Sequence, residues 1–344
     1  MIRELSDELL ERGHRPRLVT SHPGRPTRSI EDGLEITRNW RPPPSPRWLR
    51  ERHFDPYFTH VPFTYLSLRG GADDIVQAHH VADALAAARH TRRTGTPSVF
   101  AFMGVPSRAD FGSRRLGEQW TEAALAGCSA VTALSSCAGE AFRRELGIEA
   151  RIIEPGVNLE AFAVGEDRTP EPTIFCGAEL AEPRKRVPLL VDALPRLRRE
   201  RPGTRLMLSR PRQAEVARGV EGVEGVELVD VDQHGALARA YASSWVCALP
   251  SIGEAFGLVL LEALACGTPV VGTDAFGIPE VVDRPEVGRL FEADDEDGLV
   301  RALLEAIELA EAPGTRAACR ARAEELSTER CADRYLELYA ELLG

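Results

Sequence analysis

The segment Pro250-Ser251-Ile252-Gly253-Glu254-Ala255-Phe256-Gly257-Leu258-Val259-Leu260-Leu261-Glu262-Ala263-Leu264-Ala265-Cys266-Gly267-Thr268-Pro269-Val270-Val271 decides how this chain is read. The apolar run Trp245-Val246-Cys247-Ala248-Leu249 before it reads as a strand. A Gly-containing loop follows, then a helix over about 257–266, then a second strand at Pro269-Val270-Val271. Strand, helix and strand in this order imply a parallel βαβ unit. Amide hydrogens at the helix start lack partners and sit at the positive dipole end, which suits an anion. Gly257 lets a ligand approach the backbone closely. Glu254 and Glu262 are eight residues apart. At about 1.5 Å per helical residue that is on the order of 12 Å. Two carboxylates acting on one glycosidic bond stand only about 5–9.5 Å apart, so this pair reads as two separate grips.

Outward from this unit the same alternation continues. In the second half, strands are expected at Thr173-Ile174-Phe175-Cys176, Arg205-Leu206-Met207-Leu208, Val226-Glu227-Leu228-Val229 and Arg289-Leu290-Phe291. Helices are expected at about 187–200, 213–219 and 235–243, and the tail from about 295 to 343 reads as almost all helix. The first half reads as helix 2–12 ending at Gly13, then strands at Arg17-Leu18-Val19-Thr20, Ile75-Val76-Gln77-Ala78, Ser98-Val99-Phe100-Ala101-Phe102, Ala130-Val131-Thr132-Ala133-Leu134 and Arg151-Ile152-Ile153. Ser135 or Ser136 caps the helix 137–146. Residues 155–172, with Pro155-Gly156 and Pro170-Glu171-Pro172, read as a hinge. The fold class is α/β: two doubly wound, Rossmann-like domains, 1–160 and 161–328, with the tail helix 329–344 returning to the first.

Composition narrows the function. The chain has 344 residues with a net charge of −11, which excludes a generally basic, nucleic-acid-coating protein. No apolar run approaches the roughly 18 residues of a membrane span, and the first residues carry no apolar secretory core. Seven scattered cysteines without a CxxC pair argue against a disulfide scaffold or zinc site and for reduced cytosolic thiols. Residues 22–60 read as a long irregular loop rich in Pro, with Arg25, Arg28, Arg38, Arg41, Arg47, Arg50 and Arg52 beside Trp40, Trp48 and Phe54. Basic groups with aromatics suit an anionic or lipid-linked partner and are compatible with peripheral membrane contact.

The span between Glu254 and Glu262 suits a nucleotide sugar, one acid on sugar hydroxyls, the other on ribose, and the pyrophosphate between them. With Phe256-Gly257-Leu258 inside and Cys266-Gly267-Thr268-Pro269 after, continuing through Gly277-Ile278-Pro279-Glu280-Val281-Val282, the segment resembles the signature of the retaining, GT-B fold glycosyltransferases of family 4 (glycosyl transferases group 1). The resemblance implies a hexosyltransferase using a nucleotide-diphosphate sugar, with no metal and no cofactor, in the cytoplasm, on a glycan, lipid-linked or small-molecule acceptor. It assigns the donor sugar to Glu254, ribose to Glu262, and sugar and phosphate contacts to Phe256, Gly257 and Leu258. The family's pyrophosphate-neutralising Arg/Lys pair falls on Arg184 and Lys185, because Ala178 follows Gly177 where many members carry an Arg. With Glu254 these two form the implied catalytic group. A solvated basic turn is the plain alternative for Arg184-Lys185-Arg186.

The chain also departs from the family. Met103-Gly104 stands where members usually carry His-Gly. His79 and His80 are candidates for acceptor-side contacts, or else a capping or core pair. Family chains begin with a buried strand and a Gly-rich loop before the helix matching 2–12, whereas here Met1 starts inside that helix. An unfilled slot would part neighbouring strands by roughly 9.6 Å. The expectation is that the true start lies upstream of Met1, or that the chain folds poorly and is inactive. Two rival functions therefore stand beside a transferase: a donor-binding but inactive homologue, and a nucleotide-sugar epimerase of related fold.

Overall fold

The computed structural model describes residues 2–41, 59–112, 117–165, 167–232 and 234–344. The chain divides into two compact units, Met1–Glu154 with Cys331–Gly344, and Pro155–Arg330.

The first unit opens with the helix Ile2–Glu11 and carries strands β1 (Arg17–His22), β2 (Thr27–Glu31), β3 (Leu34–Trp40), β4 (Val76–Ala78), β5 (Ser98–Ala101), β6 (Ala130–Ala133) and β7 (Arg151–Ile152). They form two sheets, β1-β3-β2 and β4-β5-β6-β7. The pairs in the second are all parallel. Among the described residues β1 is hydrogen-bonded to β3 alone and β4 to β5 alone, so this unit has no continuous sheet. The helix Ile2–Glu11 reaches toward both: Leu5 joins a cluster with Val99, Ala101 and Ile153, while Arg3 donates to Asp32 at 3.0 Å beside β3.

Residues 22–60 are not an irregular loop throughout. β2 and β3 form an antiparallel hairpin in which Glu31 faces Leu34. Asp32 and Gly33, both at positive φ (51° and 83°), make the two-residue turn. Asp-Gly is a strong signal for that turn, because its backbone twist matches that of the flanking strands. Leu34 and Ile36 face the core. Of the basic and aromatic side chains expected to matter here, Arg47, Trp48, Arg50, Arg52 and Phe54 lie outside the described residues.

The tail helix Thr328–Leu343 packs on the first unit. Its Cys331, Ala332, Tyr335 and Leu338 bury themselves against Leu5, Val99, Ala101 and Ile153. The Tyr335 hydroxyl lies 3.3 Å from Thr132 Oγ1. Where the chain leaves one unit and later returns, 155–157 runs beside 326–328: Val157 N donates to Leu326 O and Thr328 N to Val157 O, both at 3.0 Å. A Cβ at Gly156 would lie 2.4 Å from Ser327 O, so only glycine permits this approach.

Ser135 caps the helix Ser136–Leu146, its Oγ accepting from Ala138 N at 3.1 Å. Ser135→Ala should cost about 1 kcal/mol, read as an earlier midpoint in urea unfolding; an unchanged midpoint would deny the cap any weight.

The second unit holds β8 (Thr173–Cys176), β9 (Arg205–Ser209), β10 (Val226–Val229), β11 (Val246–Leu249), β12 (Val270–Thr273) and β13 (Gly288–Phe291). Their order is β10-β9-β8-β11-β12-β13, every pair parallel. All four residues of β8, β11 and β12 are buried, as strands with both faces covered must be. The strand order reverses between β8 and β11. In open α/β sheets that switch point opens a crevice beyond the carboxyl ends of the strands. Among the described residues no helix is long and apolar enough to cross a membrane.

Candidate functional site

Two loops leave the switch point, one after β8 and one after β11. The first enters a short 3-10 turn, Pro183–Lys185, and Arg186 leaves it in the left-handed region (φ 52°). The second loop is tied to this turn, because Ile252 N donates to Arg184 O at 2.9 Å, and Ser251 Oγ lies 3.1 Å from the same oxygen. Glu254 is thereby presented to the basic turn. Its Oε1 accepts from Lys185 Nζ at 2.5 Å, Ser251 Oγ at 2.6 Å and Arg184 Nη1 at 3.3 Å. The Glu254 and Lys185 side chains are only 12% and 14% exposed, while Arg184 is 44% exposed. Burial pushes the Glu254 carboxyl up, but Lys185, Ser251 and Arg184 together outweigh it and hold the group below its ordinary value. Arg184 also pairs with Glu182. Arg186 points elsewhere, donating to Ala293 O at 2.5 Å. The basic turn is therefore not merely solvated; two of its three cations converge on one carboxylate.

Beyond Glu254 the chain turns into the helix Leu258–Ala265, with Gly257 as its N-cap at φ 108°. Only glycine takes that backbone without strain. The helix begins within one residue of where the sequence places it, and Glu254 lies in the loop before it. A rise of about 1.5 Å per helical residue applies only to the stretch from Leu258 to Glu262, so the 12 Å figure does not describe the separation of Glu254 and Glu262. Phe256 is buried and Leu258 half-buried. The loop is backed by Gly277, whose amide donates to Glu254 O at 3.0 Å. The positive dipole end of this helix and the two nearby cations suit an anion.

Glu262 lies in a helix whose neighbours Leu260, Leu261, Ala263, Leu264 and Ala265 are buried. Among the polar groups it meets is the Tyr241 hydroxyl, which donates to Oε2 at 2.9 Å. Tyr241 and Ser251 carried no signal in the sequence: Tyr241 reads as an apolar helix position, and Ser251 sits three residues before Glu254 in a loop with no periodicity.

His79 and His80 belong to the first unit, at the carboxyl end of β4. His80 Nδ1 caps the helix Val81–Thr94, accepting from Ala82 N at 3.2 Å. His79 Nε2 lies 3.3 Å from Gln77 Nε2, and burial pushes its pKa down to about 4, so the ring is neutral near pH 7. Since Gln77 Oε1 accepts from the Tyr339 hydroxyl, its amide nitrogen faces His79 and donates to Nε2. Met103 stands in the loop beyond β5, where it offers no proton donor.

Comparison with known proteins covers both units. Residues 1–161 match the family described as Glycosyltransferase Family 4, and residues 171–308 the family described as Glycosyl transferases group 1. The phosphatidyl-myo-inositol mannosyltransferase of Mycobacterium tuberculosis is 32% identical over 170 residues, 47% of this chain and 45% of that protein. The match thus spans under half the length of that relative. Among solved structures, sucrose-phosphate synthase from Thermosynechococcus elongatus has a TM-score of 0.82 at 22% identity, covering 99% of this chain and 92% of that one. Anabaena Alr3699/HepE in complex with UDP-glucose has a TM-score of 0.65 at 18% identity, covering 83% and 82%. These structural likenesses concern the fold: two Rossmann-like α/β units.

Proposed function

Because the chain belongs to the group 1, family 4 glycosyltransferases, we propose that it moves a hexose from a nucleoside-diphosphate donor to an acceptor hydroxyl, retaining the anomeric configuration. The observation that carries this reading is the convergence of Lys185 and Arg184 on Glu254 across the two loops of the switch point. That a neighbouring fold binds UDP-glucose supports a donor of this class.

In this reading Lys185, Arg184 and the amides of Phe256, Gly257 and Leu258 hold the pyrophosphate. Fixed cations there stabilise the charge that grows on the leaving phosphate. Glu254 accepts from the donor sugar's hydroxyls beside the reacting carbon, and Glu262 accepts from the ribose. The acceptor hydroxyl attacks on the face the phosphate leaves, and that phosphate takes its proton, so no protein nucleophile is needed. The acceptor is a glycan, a lipid-linked sugar or a small molecule, and the work is done in the cytoplasm without a metal. In this reading His79, as a neutral ring, and His80 are the candidates for acceptor contacts.

Incubation with labelled UDP-, GDP- and ADP-sugars tests the reading. Transfer or slow hydrolysis supports it; an isomerised sugar would make the protein an epimerase, and binding without turnover an inactive homologue. Glu262→Gln should weaken binding of the free nucleoside diphosphate. Glu254→Gln should spare that binding and chiefly lower turnover. Loss of one hydrogen bond to a charged group costs about 1.5–3 kcal/mol, roughly ten- to 150-fold. Calorimetry and steady-state rates showing both variants equal to the parent would refute the assignment.

A further inference from the structure

Tyr241 is fully buried near the end of the helix His234–Ser243. Its ring packs edge-on against Phe175, with centroids 5.2 Å apart, and lies 6.0 Å from Phe162. Its backbone carbonyl is pinned by Thr268 Oγ1 at 2.8 Å and Ser244 N at 3.1 Å. A phenylalanine would fill this apolar socket without the cost of desolvating a hydroxyl. The hydroxyl is nonetheless present, and it donates to Glu262 Oε2 at 2.9 Å. Burial, and then the Glu262 charge, push the phenol far above its ordinary pKa, so it stays protonated and remains a donor. The loop after β8 closes over it at Gly177, where a Cβ would stand 3.1 Å from the phenol oxygen and 3.3 Å from the Phe175 ring. A donor this enclosed, bonded to a carboxylate, restricts how that carboxylate can rotate.

We propose that Tyr241 is a positioning residue for Glu262: its hydroxyl, enclosed beneath Gly177, holds the Glu262 carboxylate in the orientation that grips the ribose hydroxyls of a bound nucleotide. This rests on the donor-binding reading above. It differs from the plain account, in which a core tyrosine satisfies itself on the nearest acceptor. In that account losing the hydroxyl lowers stability and leaves recognition alone.

The test is calorimetry of the parent and Tyr241→Phe with UDP, GDP and ADP and with their 2′,3′-dideoxy counterparts. The parent should prefer the ribonucleotide it binds over its dideoxy form. Tyr241→Phe should lose about five- to twentyfold in affinity for the ribonucleotide and less than twofold for the dideoxy form, so the preference shrinks. Gly177→Ala, which presses on the phenol without removing it, should shrink the preference in the same direction. In the Glu262→Gln background, Tyr241→Phe should change ribonucleotide affinity less than twofold. Equal losses for both nucleotides, or an undiminished effect in the Glu262→Gln background, would overturn the positioning role while leaving donor binding standing. A parent that binds none of the diphosphates would overturn the donor-binding reading, and this inference with it. Melting curves identify a variant that fails to fold, and Gly177→Ala then decides.

Discussion

Lys185→Ala is expected to lower kcat/KM by a hundredfold or more and to move the acid limb of the pH–rate profile upward. The ammonium is the closest cation to Glu254, at 2.5 Å, and both side chains are largely withdrawn from water. Removing one partner of such a pair costs about 3–5 kcal/mol of stability, and in the proposed reading the loss of a fixed charge beside the leaving phosphate costs about 2.7–4 kcal/mol of transition-state stabilisation. Arg184 does not make up the loss, since it stands 3.3 Å away and is much more exposed. In the parent, burial raises the Glu254 pKa and the three donors more than offset it. With the folded value below the unfolded one, the group's contribution to stability is present above the unfolded pKa. It is lost only as pH falls through the lower folded value. Taking away the strongest of the three donors lets burial gain, so protonation sets in at higher pH in the variant. Rates across the acid range check this; a superimposable profile at an undiminished rate would remove Lys185 from the site.

Gly277→Ala should disable the same site from behind. The residue's φ of −85° is open to any amino acid, so conformation is not the obstacle. The obstacle is contact: a Cβ would lie 2.3 Å from Ala255 O, 2.6 Å from Ala255 C and 2.8 Å from Phe256 Cα. All three are backbone atoms of the loop that carries Glu254, and none can swing aside as a side chain would. Overpacking of this kind costs about 1–3 kcal/mol, and more when backbone must shift. A loss near 3 kcal/mol would lower Tm by roughly 6–12 °C in a domain of this size. Binding of the nucleoside diphosphate should fall at least tenfold as the loop moves. Gly235→Ala, which meets only the flexible end of Arg239 at 3.3 Å and lies in a helix that favours alanine, is the control and should melt no lower than the parent. Equal melting of the two variants would show that the loop gives way more easily than its contacts imply.

Much of the second unit is legible before any coordinates, for a physical reason. β8, β11 and β12 are buried on both faces, so their sequences are continuous apolar runs, and the helices between them carry helical spacing. The hairpin of β2 and β3 is less legible. Thr27-Arg28-Ser29-Ile30-Glu31 is mostly polar, because it lies exposed at the edge of its sheet, and only Asp32-Gly33 marks the turn. The prolines around it suggest irregularity that the described part does not have.

By itself the sequence determined the α/β class, the succession of strands and helices in the second unit, and the residue types of the two loops at the switch point. Those are local properties, set by burial periodicity and by what glycine and proline permit over a few residues. Tertiary structure alone decided that Arg184 and Lys185 meet a carboxylate some seventy positions along the chain, that a core tyrosine reaches Glu262, and that the strands of the first unit fall into two sheets. Strand order depends on how helical crossovers pack over the growing sheet, an interaction between segments distant in sequence. The reversal between β8 and β11 that brings the two loops together therefore leaves no mark in either loop's own residues.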